Sequence, residues 1–480
     1  MAEADELQQH DDLDIHLREV QHLLARQKLV EDLVHRQEMP KHDLVESLVH
    51  KQHIHELTHK LDSLHSADVA HILEALPVDE RLFVWDLVKA ERDGEILLEV
   101  SDAVRESLIE SMDPASLRAA AEQLDADELA DLAPDLPREV MEAVYQGLDP
   151  EEREQLRAAM SYPEDSVGAL MDFEMVTVRE DVTLEVVLRY LRRFDALPDH
   201  TDQLFVVDRD EHLRGVLPID RLLINDPEAQ VSDIMLTDTL TLEPSDEAET
   251  AAQAFERYDL VSAPVVDYHR KLVGRVTVAT VVDFIREETE SELLNQAGLR
   301  EGEDIFAPVW ASVKNRWSWL AVNLVTAFIA SRVIGAFEGS IEKLVALAAL
   351  MPIVAGIGGN SGNQTITMIV RGIAMGQVQH EALARLLKKE MGVALINGIV
   401  WGGLLGVLAW ILYGSGKLGA VMTAAMTLNL LLAAFVGVMA PMIRSRVGQD
   451  PAVGSSVIIT AVTDSGGFFI FLGLATIFLM

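Results

Sequence analysis

Gly356-Ile357-Gly358-Gly359-Asn360-Ser361-Gly362-Asn363-Gln364-Thr365 lies at the middle of an otherwise apolar run, Leu344–Val370, and follows Pro352. The run is long enough to be read as a membrane span, because about 20 mostly apolar residues cross a bilayer. Glycine and proline loosen a helix, and amides cannot face lipid without a partner. A polar, glycine-broken stretch is tolerated at bilayer depth where it packs on protein or lines a wet cavity. Close packing through small residues would account for Gly358 and Gly362. The Asn-Gln cluster needs something else, and an ion or solute pathway supplies it.

Working outward, four more segments have span length: Trp317–Phe337, Met391–Tyr413, Leu418–Ile443 and Ala452–Met480. Five spans put the two chain ends on opposite sides. One side then carries Lys314, Arg316, Arg371, Arg385, Lys388, Lys389, Arg444 and Arg446, and the other only Arg332, Lys343 and Lys417. Positive residues stay inside, so the N-terminus is expected in the cytoplasm and the C-terminus on the outer side of the cell (inner) membrane. Met1 to Asp14 is acidic and polar, unlike a cleavable signal peptide.

The last span holds Thr460-Ala461-Val462-Thr463-Asp464-Ser465-Gly466-Gly467, and Asp464 is the only ionisable residue after Ala452. A lone carboxylate at bilayer depth is costly unless it pairs or meets water. Nothing cationic lies deep in another span, so Asp464 is expected to attract a cation in a wet pathway. Thr460, one helical turn away, can offer a hydroxyl or carbonyl oxygen to the same ion. Oxygen ligands without Cys or intramembrane His suit a hard cation such as Mg²⁺ better than Zn²⁺ or Cu⁺.

Charge divides the 480 residues sharply. Residues 307–480 hold 11 Lys+Arg against 6 Asp+Glu, whereas the first 306 hold 28 against 72. A net charge of −39 argues against nucleic-acid binding. The absence of Cys excludes disulfides, thiolate metal sites and cysteine nucleophiles. No phosphate-binding Gly-Lys-Ser/Thr loop is present, so no ATPase is expected.

Residues 166–289 form two similar units in the order strand–helix–strand–strand–helix, an α/β repeat. The first passes through Val176-Thr177-Val178, a helix at Leu184–Arg193, Leu204–Val207 and Leu213–Leu217. The second passes through Leu240-Thr241-Leu242, a helix at Ala248–Tyr258, Ala263–Asp267 and Leu272–Thr277. Residues 1–165 are helical in period, with Pro or Asp at the turns, and read as a superhelical stack of short helices. Val30–Arg36 recurs nearly unchanged as Val45–Lys51. Eleven of fifteen histidines precede residue 72. Their irregular spacing favours a solvated helix face over a transition-metal sensor.

Two groups of carboxylates stand out. Asp127 and Asp131 share a helix face, and Asp283, Glu287, Glu288, Glu290 and Glu292 crowd the helix leading to the membrane. Like charges at that density repel unless neutralised. A divalent cation between two acidic surfaces would close them, and its loss would let them part.

The repeated Phe205-Val206-Val207-Asp208 and Pro264-Val265-Val266-Asp267 resemble tandem CBS domains. That fold raises ATP as a ligand, but both nucleotide motifs are broken: Gly274-Arg275-Val276-Thr277-Val278-Ala279-Thr280 has Thr where the family has Asp, and Gly215-Val216-Leu217-Pro218 has Pro for Ser/Thr. The larger set, Gly359–Gln364, Arg371, Lys389-Glu390-Met391-Gly392, Asp450-Pro451-Ala452, Thr463–Gly466 and Tyr162–Met171, resembles the MgtE magnesium channel family across nearly the whole chain. The fold class implied is an all-α superhelical N-terminal domain, α/β tandem CBS domains and an all-α transmembrane domain of five helices. The expected boundaries are a His-rich extension 1–50, the helical domain 51–165, CBS units 166–230 and 231–282, an acidic connecting (plug) helix 283–306 and a pore domain 307–480.

The resemblance implies a homodimeric Mg²⁺ channel with its pore on the dimer axis, in contact with membrane lipid. Asp464 matches the aspartate holding hydrated Mg²⁺. Thr460 falls at a carbonyl position, Asp450 at the cytosolic pore mouth, and Asn360 and Asn363 in the polar stretch. Glu95, Asp127 and Asp131 match helical-domain carboxylates that bind regulatory Mg²⁺, with Asp259, Asp283, Glu288 and Glu292 as their partners. Ser291 replaces an acidic residue of a relative. The alternatives are a secondary transporter for Co²⁺ or Ni²⁺ with a His-rich sensor, and a membrane-anchored metal sensor that conducts nothing.

Overall fold

In a computed structural model the described residues are 15–29, 42–297, 299, 304–374, 378, 383–447 and 449–480. Much of the His-rich extension, including the first copy of the Val30–Arg36 repeat, lies outside them. Contacts divide the chain into two compact units, Met1–Arg286 with Asp304–Ala307, and Glu287–Glu303 with Pro308–Met480.

The first unit opens with helix α1 (residues 15–29), followed by α2 (His42–Asp62), α3 (Ser66–Glu74), α4 (Val78–Trp85), α5 (Asp93–Glu99), α6 (Asp102–Ser111), α7 (Pro114–Ala121), α8 (Ala126–Leu132), α9 (Arg138–Gly147) and α10 (Pro150–Ala159). The helices are short because Pro and Asp restart the chain every ten residues or so. Asp113 accepts hydrogen bonds from Ala115 N and Ser116 N ahead of Pro114, and Asp125 with Glu128 and Asp149 with Glu152 form capping boxes. One apolar core runs from Val20 and Leu24 through Leu57, Leu73, Ile96, Leu108 and Leu129 to Leu156. Two buried arginines repeat one device. Arg81 donates to Leu73 O at 2.9 Å and Arg105 to Leu97 O at 2.8 Å, each satisfying a carbonyl eight residues earlier. Arg81, fully buried, also pairs with Asp304 at 2.7 Å.

The α/β part has β1 (Thr177–Arg179), α11 (Leu184–Leu191), β2 (Gln203–Val207), β3 (Leu213–Pro218), α12 (Ile219–Ile224), α13 (Val231–Ile234), α14 (Ala248–Tyr258), β4 (Ser262–Val266), β5 (Leu272–Thr277) and α15 (Val278–Ala297). β1 and β2 are parallel and β2 pairs antiparallel with β3. The second unit keeps only β4–β5, and the strand expected at Leu240–Leu242 is reduced to one parallel bridge, Leu242 to Val265. Pro244, two residues further on, cannot donate to a ladder and Glu243 is turned by Asp246, which ends the pairing early. The repeated Val-Val-Asp closes each hairpin: Asp208 Oδ1 accepts from Asp210 N and His212 N, and Asp267 Oδ1 from His269 N and Lys271 N.

The second unit has α16 (Val309–Ala336), α17 (Glu338–Lys343), α18 (Ala346–Ala374), α19 (Leu383–Tyr413), α20 (Gly416–Arg446) and α21 (Ser455–Leu479). Four of them, α16, α19, α20 and α21, are long and apolar enough to cross a membrane. α18 is as long as α16, but carries the Gly-Asn-Gln-Thr run that dilutes its apolar character. That run is not broken: the helix is continuous through Pro352 and all its glycines. The glycines serve packing, since a Cβ on Gly362 would collide with Ile459 of α21 and one on Gly358 with Asn429 of α20. α20 is the central helix, and Gly398, Gly402 and Gly406 of α19 bring the two backbones together, with Thr423 Oγ1 donating to Gly402 O at 3.0 Å.

Candidate functional site

α21 has Thr460 and Asp464 four residues apart, hence on one face. With Ser456, Val457 and Ala461 they form one wall of a groove of about 400 Å³, and Asn323, Thr326 and Ala327 of α16 form the other. Asp464 is half-buried and Thr460 exposed. Thr460 Oγ1 donates its proton to Ser456 O at 2.8 Å, so the hydroxyl oxygen presents only lone pairs to a further partner. The polar atoms lining the groove come from carboxylate, hydroxyl and amide groups, a donor set for a hard cation. Asn323 and Thr326 were not among the expected site residues. Their signal, two polar residues three apart in an apolar span, was available in the sequence.

Asn360 and Asn363 of α18 do not line this groove. Asn360 is exposed, and Asn363 is half-buried with an Oδ1 that has no hydrogen-bond partner among the described residues. Asp450 is exposed in the turn before α21: its Oδ1 accepts from Ala452 N at 2.7 Å and its Oδ2 from Asn295 Nδ2 at 3.3 Å. Gly454 N also donates to Asn295 O at 3.3 Å. The end of α15 therefore rests on the turn that begins the Asp464 helix.

In the first unit Asp127 is half-buried and its carboxyl is pushed up to about 7, first by desolvation and then by the charge of Asp172. Glu128, Asp172 and Glu174 are likewise raised, burial being the largest cause, with Glu95, Asp125 and Asp172 adding repulsion. Arg275 is the cation here, donating to Asp172 Oδ2 at 2.8 Å and to Asp199 O at 2.8 Å. Of these carboxylates Asp172 pairs with the buried guanidinium. Glu95, exposed, accepts from Ser66 Oγ at 2.6 Å. Arg105 lies 3.4 Å from the exposed Asp131 within the helical domain. Asp259, which ends α14 in the left-handed conformation, and Asp283 are exposed and outside this cluster. Glu288 and Glu292 lie further along α15.

The N-terminal histidines form no grouping with metal-ligand spacing among the described residues. The one such grouping among the described residues is Asp208, Asp210 and His212, and its Asp208 carboxylate already caps the hairpin and pairs with Arg214 at 3.0 Å. In the second CBS unit the glycine of the broken nucleotide motif, Gly274, is needed for contact: a Cβ there would collide with Met171.

The chain resembles known proteins over most of its length. The magnesium transporter MgtE of Thermus thermophilus is 32% identical over 431 residues, covering 87% of this chain and 94% of the relative. The chain belongs to the MgtE family. MgtE of Bacillus subtilis is 26% identical over 421 residues, covering 87% and 93%. The MgtE family pattern, described as a divalent cation transporter, matches residues 351–474; the MgtE intracellular N domain matches 64–165, and CBS domains match 167–226 and 231–287. A solved structure of the cytosolic domain of the Mg²⁺ channel MgtE in complex with ATP is 30% identical, with a TM-score of 0.45, covering 50% of this chain and 98% of that one. As an MgtE-family member the chain is a multi-pass membrane transport protein and not an enzyme.

Proposed function

We propose that this chain is a homodimeric Mg²⁺-selective channel for magnesium uptake, with its N-terminus in the cytoplasm and its C-terminus outside. The observation carrying this reading is the groove that gathers Asp464, Thr460, Ser456, Asn323 and Thr326 along one exposed face. A second copy facing it would supply a matching carboxylate, and two such faces would surround a hydrated cation with oxygen atoms. Mg²⁺ dehydrates reluctantly and is commonly held through its waters by one or two carboxylates. A potential of 100 mV favours influx of a divalent ion by roughly 4.6 kcal/mol, twice the value for one elementary charge. The driving force needs no coupled hydrolysis.

Closure follows from the acidic cytosolic surfaces. Cytosolic Mg²⁺ neutralises carboxylates around Asp127, draws the helical domain, CBS units and α15 together, and so fixes the helix that ends on the Asp450–Gly454 turn. Single-channel recording while cytosolic Mg²⁺ is stepped from micromolar to tens of millimolar tests both parts. Unitary Mg²⁺ currents that vanish at high cytosolic Mg²⁺ are expected. Vesicle uptake without unitary currents would replace the channel by a carrier and remove this account of gating.

A further inference from the structure

Asn429 is a fully buried amide at the middle of α20. A primary amide in a membrane interior is costly unless both its donor and its acceptor are used. Its Nδ2 donates to Val354 O of α18 at 2.9 Å, whereas its Oδ1 has no partner among the described residues. The carboxamide lies in a slot between two glycines on two other helices. A Cβ on Gly358 of α18 would collide with Nδ2, and one on Gly467 of α21 would lie 2.7 Å from Nδ2 and 3.0 Å from Oδ1. Val354 and Gly358 are one turn apart on α18, and Gly467 is three residues beyond Asp464 on α21. Next to Gly358, Gly359 brings α18 to within ordinary contact of Thr463 Oγ1, the residue before Asp464.

The geometry points to Asn429 as a positioning residue for the Asp464 carboxylate, through the juxtaposition of α18 and α21 on its side chain. An aliphatic side chain in the slot would make no hydrogen bond to Val354 O, so the amide supplies direction as well as packing. Its hydrogen bond fixes the side chain on one turn of α18, and the carboxamide then sets how closely and at what height the Gly467 turn of α21 can approach. Asp464, one turn along, is carried with it. The pathway role of Asp464 rests on the function proposed above; the coupling of Asn429 to the height of α21 does not.

The test uses the full chain in liposomes and exploits its lack of native cysteine. Ala461→Cys places one thiol on the groove wall, and its rate of modification by a charged methanethiosulfonate reports how α21 presents that wall. Asn429→Leu and Asn429→Ala are each expected to change that rate by about tenfold, and to reduce discrimination between Mg²⁺ and Ca²⁺ in otherwise cysteine-free protein that elutes and melts normally. Gly467→Ala should do the same by crowding the amide, and Asn429→Ala with Gly467→Ala should not recover wild-type labelling, because a methyl fills the vacated slot but makes no hydrogen bond to Val354 O. Labelling and discrimination unchanged in both Asn429 variants would overturn the inference. So would a loss of flux with both unchanged, since that is less folded protein, or a double variant restored to wild-type labelling, since filling the slot would then suffice. Should the unsubstituted chain carry no Mg²⁺, the functional reading fails, while the labelling rates still decide the role of Asn429.

Discussion

Replacing Asp127 by Asn should stabilise the resting contact between the helical domain and the CBS pair and remove most of its response to Mg²⁺. Burial and Asp172 raise the Asp127 carboxyl to about 7. A carboxyl held higher in the folded state than in the unfolded chain keeps a proton the unfolded chain has lost. Its stability is therefore complete below the ordinary aspartate range, falls as pH rises through 4 to 7, and is lost above. The displacement corresponds to at most about 4 kcal/mol at pH 8, and relaxation of a half-buried site brings this toward about 2 kcal/mol. Asn carries no charge to desolvate and none to repel Asp172. Hydrogen exchange of α8 in the full chain at pH 8 without Mg²⁺ is the assay, and about 2 kcal/mol would appear as roughly 30-fold greater protection in the variant. In the unsubstituted chain the same protection should appear on adding Mg²⁺, and about half of that free energy on lowering the pH to 5.5, midway through the range over which it is lost. Asp93, raised by burial to about 6, titrates with the same sign and accounts for pH dependence that persists in the variant. An Asp127→Asn protein with exchange as fast as the original, or with the full Mg²⁺ response, would refute the reasoning.

Asp464→Asn should abolish Mg²⁺ flux with elution and melting unchanged, because the groove loses its one charge. Asp304→Ala should lower the stability of the helical domain by about 3 kcal/mol, read by thermal melting, since it strands the fully buried Arg81 without a counter-ion. Gly406→Leu should eliminate monodisperse protein on gel filtration, because even a Cβ there would lie 2.5 Å from Gly419 O. Substituting His16, His22 and His59 by Gln should leave the Mg²⁺ dependence of transport as it was. Deleting residues 1–60 would be a poorer test, because Val20, Leu24 and Leu57 belong to the domain core.

The spans and the CBS repeat were legible because their signals are local. Length and hydrophobicity define a span, and a strand–helix period with Val-Val-Asp before each hairpin defines the repeat. Asp464 was legible for a similar reason, as a charge isolated in an apolar run has few benign explanations. Asp131 has a partner that spacing does not announce. Its spacing from Asp127 put both on one face, but Arg105, twenty-six residues earlier, reaches back across the superhelix to meet it. Asp172 and Arg275 are 103 residues apart, and nothing in either neighbourhood announces that one neutralises the other. Asp125 and Glu128 were hidden differently: the pair serves as a capping box, and the same two side chains then face the acidic cluster.

The polar run on α18 carries the sharper lesson about membrane helices. Its glycines predict a loosened helix, yet the backbone is continuous, and at three of them a side chain from elsewhere occupies the space a Cβ would take: Asn429 at Gly358, Ile459 at Gly362, Val378 at Gly372. Small residues in a span mark where another helix comes close, and only the partner reveals what that closeness is for. At Gly362 the partner is aliphatic, and the contact is packing. At Gly358 it is an amide that binds a carbonyl of the same turn and faces a glycine of the helix bearing Asp464. The distinction rests on one residue in an otherwise unremarkable stretch, Leu428-Asn429-Leu430, whose meaning depends on glycines 71 positions before it and 38 after it.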